Sequence, residues 1–531
     1  MASFLRDRAS ILSFALGVVA VTSGVLLHLP MFWMGRDMGF RLAGMPMDPG
    51  MLAGMFMILA GVALAAWGLL PRNVAAQVHA SRHISIAAPE DAPLTAAHWQ
   101  LMAVLVIALI IDVMKPASLG FVMPGLKAEY AVTAARGAAL PFSALAGTVV
   151  GSVFWGIMAD IYGRKATIML SAVMFVGTSI CGAMPSLNWN IVMCFLMGAA
   201  AGGMLPVTYA LLAETMPTRH RGWALVLVGG LGSGGGYFAA SGFSAWLEPI
   251  FSWRILWLLN LPTGLLLLSL SGFIPESAKF LLARGRRAEA QAAMARFGTR
   301  SIVHGTERED EILAPVPLDH EPRRGGLWTQ GFRGRTAALT IIALSWGLVN
   351  FGLLLWMPAD FVARGLKMAV ASRLLAQSAL IAFPTVIAGA YFYSRWSTKG
   401  SLLSATAISA LGLVGILAMD TVGVRLSPVA IIALLIVGNN ALLAILLPYA
   451  SESYPLHIRG RATGWVAACT KAGGLAAQTL SIAALVPPLG LVAAFILLPV
   501  AAGLALTVKF CPETRGVDLR SIDRSMAPAA R

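Results

Sequence analysis

Charged residues are scarce in this 531-residue chain, and that scarcity decides its class. Only 12% of the residues are Asp, Glu, Lys or Arg, whereas 58% are hydrophobic and the mean hydropathy is +0.77. Soluble domains carry about 25% charged residues, so the composition predicts an integral membrane protein. The net charge of +15 would suit nucleic acid, but the cations lie in short segments between apolar runs. That distribution favours a lipid bilayer as the partner and argues against nucleic acid.

Cysteine is also sparse, and the spacing of the cysteines matches no functional motif. The four cysteines form no Cys-x-x-Cys pair and no metal-ligand pattern, which predicts neither a disulfide nor a metal site. The His-Glu-x-x-His and Gly-x-Ser-x-Gly words of hydrolases are missing too. We therefore expect no enzyme activity and no resident cofactor.

Long apolar runs occupy most of the chain. Two come first, at 11–31 and 51–70, each about as long as the ~20 residues that cross a bilayer. Arg6 and Arg8 precede the first run, so a cleaved signal peptide is the alternative interpretation. No clear small-residue cleavage site follows, and a second run comes next. We predict that residues 1–96 form an extra N-terminal hairpin of two helices and a cytoplasmic linker.

Twelve further apolar runs follow in two groups of six. The groups occupy 97–274 and 334–510, with a hydrophilic insert at 275–333 between them and a tail at 511–531. The predicted fold is all-α, with about 14 transmembrane helices. Lys and Arg concentrate in the loops that an even number of spans puts inside. We therefore expect both termini to lie in the cytoplasm. We expect the membrane to be a bacterial inner membrane. The predicted core spans are 99–123, 138–161, 166–184, 189–213, 223–247, 256–274, 337–361, 369–393, 402–419, 428–449, 463–485 and 489–510.

The two groups share repeated words. Glu-x2-Pro-x3-Arg-Gly occurs at 214–222 and again at 452–460, while Pro-Glu-Ser at 275–277 is matched by Pro-Glu-Thr at 512–514. One such pair can arise by chance, but two pairs at nearly the same offset indicate a duplicated six-helix unit.

A tight polar loop joins the second and third core spans, with the spacing Gly-x3-Asp-x2-Gly-Arg-Lys. This word resembles the loop 2–3 signature of the major facilitator superfamily (MFS) of secondary transporters. The resemblance implies two six-helix bundles and a cytoplasmic gate in which the Asp pairs with an Arg across the bundles. The alternative is an ordinary positively charged inside loop. The equivalent loop at 394–399 lacks an acid, so Asp160 is expected to act alone. The gating candidates in the loop are Gly156, Asp160, Gly163, Arg164 and Lys165.

The first repeated word puts an acid and a cation at matching helix ends. Pairs that form between bundles in one state and break in the other would suit a protein with two states. The alternative is that these charges anchor helix ends at the lipid headgroups. The candidates for this second gate are Glu214, Arg221, Glu452 and Arg459.

The repeated words also resemble one branch of the MFS. Over residues 97 to about 520 they are similar to the marks of sugar porters and of metabolite and aromatic-acid:proton symporters. The Gln-Gln-x-Ser-Gly word that sugar porters carry in the seventh core span is missing, which counts against a sugar. The family's Arg before Phe-Leu-x-Gly in the fourth core span is replaced by Cys194.

Charged residues within spans are candidates for substrate chemistry, because burying an unpaired ion costs at least about 2.5–3.5 kcal/mol. Asp112 and Lys115 lie about one turn apart in the first core span and are either functional or a self-satisfied ion pair. Lys471 lies roughly ten residues, or about 15 Å, into the eleventh core span, without an acid within one turn. A lone cation at mid-depth suggests an anionic ligand, and related symporters carry an Arg at this position as a carboxylate anchor.

Together these residues predict a secondary transporter for a small organic solute, with an organic carboxylate favoured. Lys471 would anchor the carboxylate, and Asp112 would bind the coupling proton. The alternatives are a proton-driven drug or metabolite efflux pump, a sugar porter, and a non-transporting sensor with a transporter fold. We expect a monomer. Further candidates for the substrate site are Lys115, Asn350, Gln478, Trp346 and Tyr237, although membrane aromatics more often serve in packing.

Overall fold

The computed structural model describes residues 8–70, 93–276, 278, 281, 286–297, 327–421, 427–454 and 456–515. Within these ranges the regular elements are all helical, and thirteen stretches are long and apolar enough to cross a membrane. Leu456–Ile482, which coincides with the eleventh predicted core span, falls outside that apolar set. It is helical all the same, and its lower hydropathy reflects Lys471 and several small or polar residues. The prediction of an all-α membrane protein with about 14 spans is confirmed.

The helices follow the predicted order of a hairpin and two bundles. The hairpin consists of α1 (Arg8–Leu26) and α2 (Pro49–Leu69). The N-terminal bundle contains α3 (Ala96–Tyr130), α4 (Ala139–Tyr162), α5 (Arg164–Gly177), α6 (Leu187–Ala201, continued by Met204–Thr215), α7 (Thr218–Phe251) and α8 (Asn260–Leu270). The C-terminal bundle contains α9 (Arg333–Leu348, continued to Ala363), α10 (Met368–Ala382, continued by Thr385–Arg395), α11 (Thr398–Thr421), α12 (Pro428–Ser453), α13 (Leu456–Ile482) and α14 (Leu489–Phe510).

The two bundles meet along a seam. Helix α7 packs against α10 and α12, α9 packs against α3, and α13 packs against α4. Glycines on α7 allow this close approach on two sides. A Cβ at Gly230 would lie 2.4 Å from Val386 of α10, and a Cβ at Gly236 would lie 2.6 Å from Val113 of α3. Small residues thus bring α7 against both the seam and the interior of its own bundle.

The N-terminal hairpin packs on the outside of α5. Its two helices meet through glycines, because a Cβ at Gly17 would lie 2.6 Å from the Gly61 carbonyl and one at Gly54 would lie 2.5 Å from the Gly24 carbonyl. Val21 and Ile58 of the hairpin share a buried cluster with residues of α5. As a result 94% of the residues in an 18-residue window of the span Arg164–Ala183 are buried.

A buried ion pair ties the loop of the hairpin to the N-terminal bundle. Glu129 pairs with Arg254 at 2.7 Å, and their side chains are only 3% and 0% exposed. The Glu129 Oε1 atom also accepts hydrogen bonds from the backbone amides of Leu42 (2.7 Å) and Ala43 (3.0 Å) in the hairpin loop. Trp253 Nε1 donates to the other carboxylate oxygen at 3.0 Å. The hairpin is therefore docked by polar contacts at one end and by apolar packing along its length.

Removing this carboxylate charge should destabilise the protein. We expect Glu129→Gln to cost about 3–5 kcal/mol, because it leaves Arg254 as a buried cation without its anion. Thermal unfolding of the purified protein in detergent measures the loss. Glu289→Gln is the matched control, since Glu289 pairs with Arg286 at the surface, where a pair is worth about 1 kcal/mol at most. Equal melting temperatures for the two variants would contradict the docking role of Glu129.

Candidate functional site

Lys471 reaches across the seam from the C-terminal bundle. It lies on α13, is partly buried, and donates a hydrogen bond from Nζ to the Ser152 hydroxyl on α4. The single proton of that hydroxyl has two carbonyl acceptors within reach, those of Thr148 (2.8 Å) and Gly202 (2.7 Å). The direct partner of the ammonium in the described part of the chain is therefore a neutral hydroxyl on the opposite bundle.

Asp112 lies at the middle of α3, at the level where α7 packs closely against α3. The residue is half-buried, and its carboxylate interacts electrostatically with Lys115 and Lys471. Among the described residues no hydrogen bond or ion pair within 4 Å holds this carboxylate. The structure thus brings an acid and a cation from opposite bundles to the same level of the seam, without a direct contact between them.

Lys115 points elsewhere. Its side chain is 2% exposed and lies against the ring of Phe175 on α5, and its Nζ has no hydrogen-bond partner in the described part of the chain. The intrahelical ion pair with Asp112 is not formed. Lys115 is therefore inside the N-terminal bundle, away from the contact that Lys471 makes with Ser152.

Amide side chains gather around a π-helical turn in α9, at Val349–Leu353. Asn350 lies in this turn and accepts a 3.3 Å hydrogen bond from Asn439 on α12. Trp346 donates from its indole nitrogen to the Asn439 carbonyl at 2.8 Å, and Gln478 on α13 donates to the Phe351 carbonyl. The structure brings these three predicted residues, Asn350, Trp346 and Gln478, to one cluster. Such π-turns often occur at functional sites.

Tyr237 lies apart from that cluster, on α7 towards α3. Its ring centroid is 6.0 Å from that of Phe121, and its buried hydroxyl has no partner among the described residues. It packs within the largest apolar cluster, which continues across the seam into α9 and α10.

Sequence reasoning missed four polar residues at the seam. Ser152 receives the Lys471 ammonium, and Ser233 on α7 donates to Asn440 on α12 at 3.2 Å. Asn439 completes the set. A signal for the two asparagines was available, because adjacent amides are unusual in a 26-residue helix that is otherwise apolar over its central turns.

The loop between α4 and α5 turns at Gly163, which has a φ of +96°. The Arg164 backbone amide, at the start of α5, donates to Glu276 at 2.9 Å, and the Arg164 guanidinium donates to the Ala159 carbonyl at 2.7 Å. Lys165 is 7% exposed. Among these predicted gating residues, Asp160 has a side chain outside the described part of the structure.

The second bundle repeats this arrangement with Glu513. Its carboxylate accepts a 2.9 Å hydrogen bond from the backbone amide of Thr398, at the start of α11. Burial acts to raise the pKa of Glu513, but hydrogen bonds from Ser397, Thr398 and backbone amides outweigh it and lower the pKa to about 2. The repeated Pro-Glu word thus provides each bundle with an acid that caps its third helix. The loop at 394–399, which has no acid of its own, is thus capped by Glu513 from the segment that follows α14.

The other predicted gate lies where α12 ends near the start of α7. Glu452 accepts hydrogen bonds from Tyr393 (2.7 Å) and Thr514 (3.1 Å). Its Oε1 atom lies 3.2 Å from the position that a Cβ on Gly222 would take, so it reaches across the seam to the residue after Arg221. The side chains of Glu214 and Arg459 lie outside the described part of the structure.

The two glycines of the loop word should respond oppositely to alanine. A Cβ at Gly163 would lie 2.5 Å from Glu276, in a backbone region that essentially only glycine adopts, so Gly163→Ala should cost at least about 1–3 kcal/mol. A Cβ at Gly156 meets nothing within 4 Å in helix α4, so Gly156→Ala should be neutral or stabilising by up to about 1 kcal/mol. Melting temperatures of the two variants and the wild type, measured in detergent, test these expectations. A Gly163→Ala variant as stable as the wild type would disprove the cap geometry.

Comparisons with known proteins agree with this architecture. The Niacin transporter NiaP of Acinetobacter baylyi is 26% identical over 437 residues, which cover 82% of this chain and 98% of the relative. A gallate transporter of Pseudomonas putida is 27% identical, over 77% of this chain and 90% of the relative. The proton:xylose symporter XylE from E. coli has the same fold, with a TM-score of 0.64 at 17% identity over 81% of this chain and 99% of XylE. The sequence profile of the Major Facilitator Superfamily matches residues 101–478, and the chain belongs to that superfamily.

Proposed function

We propose that the protein transports small organic carboxylates by alternating access, coupled to protons. The observation that carries the proposal is the Lys471 ammonium, which reaches across the seam to a neutral hydroxyl with Asp112 close enough to interact electrostatically. The relatives named for niacin and gallate support it, because both compounds are aromatic carboxylates.

Substrate binding follows from the partner that Lys471 has. An ammonium that gives up water gains more from a carboxylate than from a serine hydroxyl, because the carboxylate adds the attraction of a full opposite charge to the hydrogen bond. A substrate carboxylate would therefore replace Ser152 and loosen the contact between α13 and α4. Because the two halves then make different contacts with and without ligand, the ligand can shift the balance between two states.

Proton coupling follows from the electrostatic interaction between Asp112 and Lys471. An ionised Asp112 competes with the substrate for the positive charge, whereas a protonated Asp112 leaves that charge to the substrate. Proton binding and anion binding therefore favour each other, and thermodynamic linkage makes the effect reciprocal. The substrate and a proton move together in this scheme.

The cytoplasmic gate in this proposal uses the capped loops. Arg164, Lys165 and Glu276 hold the start of α5, while Glu452 reaches across the seam beside Arg221. Asp160, Glu214 and Arg459 remain predicted members of the same gate. We orient the chain with this face and both termini in the cytoplasm, and we assign it to a bacterial inner membrane as a monomer.

Counterflow in proteoliposomes tests the substrate class. Vesicles preloaded with unlabelled compound are mixed with radiolabelled carboxylates, sugars or cationic drugs. We expect accumulation of aromatic carboxylates. Accumulation of sugars or drugs instead would assign the protein to the corresponding alternative class, and binding of a carboxylate without flux would make it a sensor.

The anchor role of Lys471 predicts a charge requirement. Lys471→Ala should lower carboxylate uptake at least about tenfold, because the loss of one charge-assisted hydrogen bond costs roughly 1.5–3 kcal/mol. Lys471→Arg should retain most of the uptake, since it keeps the charge. Lys367→Ala, at an exposed site on a loop, is the control and should transport as the wild type does. Equal uptake by the Ala and Arg variants would remove the anchor.

The coupling role of Asp112 predicts a change in pH dependence. Asp112→Asn imitates the protonated form permanently, so uptake by this variant should no longer rise when the outside is acidified, while carboxylate exchange continues. Asp360→Asn, which breaks a pair with Arg364 near the end of α9, serves as the control and should keep the proton dependence. The comparison is made in proteoliposomes with and without an imposed proton gradient. An Asp112→Asn variant that still concentrates substrate with the gradient would refute the coupling role.

A further inference from the structure

An amide whose nitrogen has no hydrogen-bond partner in the described part of the chain lies at the seam, at a level close to that of Asp112. Asn440 on α12 is 6% exposed, and its Oδ1 accepts the hydrogen bond from Ser233 on α7. Its Nδ2 has no hydrogen-bond partner among the described residues. Helix α7 fixes the level of this amide, because its residues 232–236 pack against residues 109–113 of α3.

The space in front of this amide is small and defined. A Cβ at Gly234 of α7 would lie 3.4 Å from Asn440 Nδ2 and 3.8 Å from the ring of Phe383, which are ordinary contact distances. The gap therefore admits a group of methyl size, such as a hydroxyl oxygen or the edge of a ring. Phe383 provides an aromatic wall beside it, and Asn440 provides an N–H donor.

Chemistry decides which group belongs there. A buried donor without an acceptor is costly, so native structures rarely leave one unpaired. The neighbouring Asn439 has an unpaired Oδ1, and it is 0% exposed. Two adjacent amides with open hydrogen-bonding capacity suit a neutral polar group more than a second charge, because none of their described hydrogen-bond partners is a cation.

We propose that Asn440, Gly234 and Phe383 form a subsite for a neutral hydrogen-bonding substituent on the transported ring, such as a hydroxyl or a ring nitrogen. This inference rests on the proposed function, since it assumes that the substrate carboxylate is held by Lys471. The substrate thus has two poles, an anionic one at Lys471 and a neutral polar one at Asn440. An unsubstituted ring fills the gap without satisfying the amide.

The test compares two substrates in the same protein. Initial rates of uptake of benzoate and of its hydroxylated derivatives are measured in proteoliposomes containing the full chain, and the ratio of their kcat/KM values is taken. This ratio cancels differences in folding and reconstitution. We expect the wild type to favour the best hydroxylated derivative roughly tenfold or more, because a site built to hydrogen-bond a substrate group discriminates against the analogue that lacks it.

Two variants remove the subsite in different ways. Asn440→Leu replaces the amide with an apolar side chain of similar size, and Gly234→Ala fills the gap at a contact distance that the fold tolerates. Both should bring the ratio close to one. Asn260→Leu is the matched control, because Asn260 is an equally buried asparagine on α8 that contacts Met197 within the N-terminal bundle. It should leave the ratio unchanged.

The outcomes separate this inference from the function on which it rests. A wild type that transports none of the carboxylates in the counterflow panel overturns the proposed function, and the subsite with it. A wild type that transports other carboxylates but neither benzoate nor its hydroxylated derivatives overturns the subsite alone. A wild type that transports both equally well, or an Asn440→Leu variant that keeps the full preference, overturns the subsite alone. A ratio that Asn260→Leu lowers as much as Asn440→Leu does would also overturn it.

Discussion

The burial of the Lys471 ammonium in the seam is the constraint on which the remaining structure depends. An ammonium inside a membrane protein must be compensated, because its desolvation is costly. Here the compensation comes from the opposite bundle, as a hydrogen bond to Ser152 and an electrostatic interaction with Asp112. The cation thus links the two halves of the protein. In the proposed mechanism, a ligand that offers it a better partner also changes the relation between those halves, so substrate recognition and conformational change would share one interaction.

The same kind of helix-capping contact stabilises each bundle. The last segment of each bundle returns an acid to the start of its third helix, as Glu276 does for α5 and Glu513 does for α11. The helix start has unpaired amides and a partial positive charge, so a carboxylate there satisfies both. This contact joins the third helix of each six-helix unit to the segment that follows its last helix. The seam between the bundles is held differently, by hydrogen bonds, small-residue packing and an apolar cluster that crosses it.

Residue types and span order could be predicted from sequence, but the rotation of each helix could not. Lys471 and Lys115 gave the same signal, a cation in an apolar run, yet one faces the seam and the other faces Phe175. Helix α3 is apolar on nearly all sides, so its sequence does not indicate which face meets which neighbour. The Pro-Glu repeat was visible as a repeat, whereas its capping contacts required the fold. Asn439 and Asn440 were overlooked because amides, unlike charges, do not stand out by burial cost.

The hairpin packs against the helix whose Phe175 ring covers Lys115. Ile58 on α2 lies beside Gly177 of α5, two residues from the Phe175 ring that covers Lys115. Phe175 itself belongs to the apolar cluster of the N-terminal bundle, whereas the hairpin packs against Val173 and Val176 of the same helix. The hairpin and Lys115 therefore contact different faces of α5. A buried charge acts over a longer range than one in water. Because Lys115 lies one turn from Asp112, its charge contributes to the electric field at the seam.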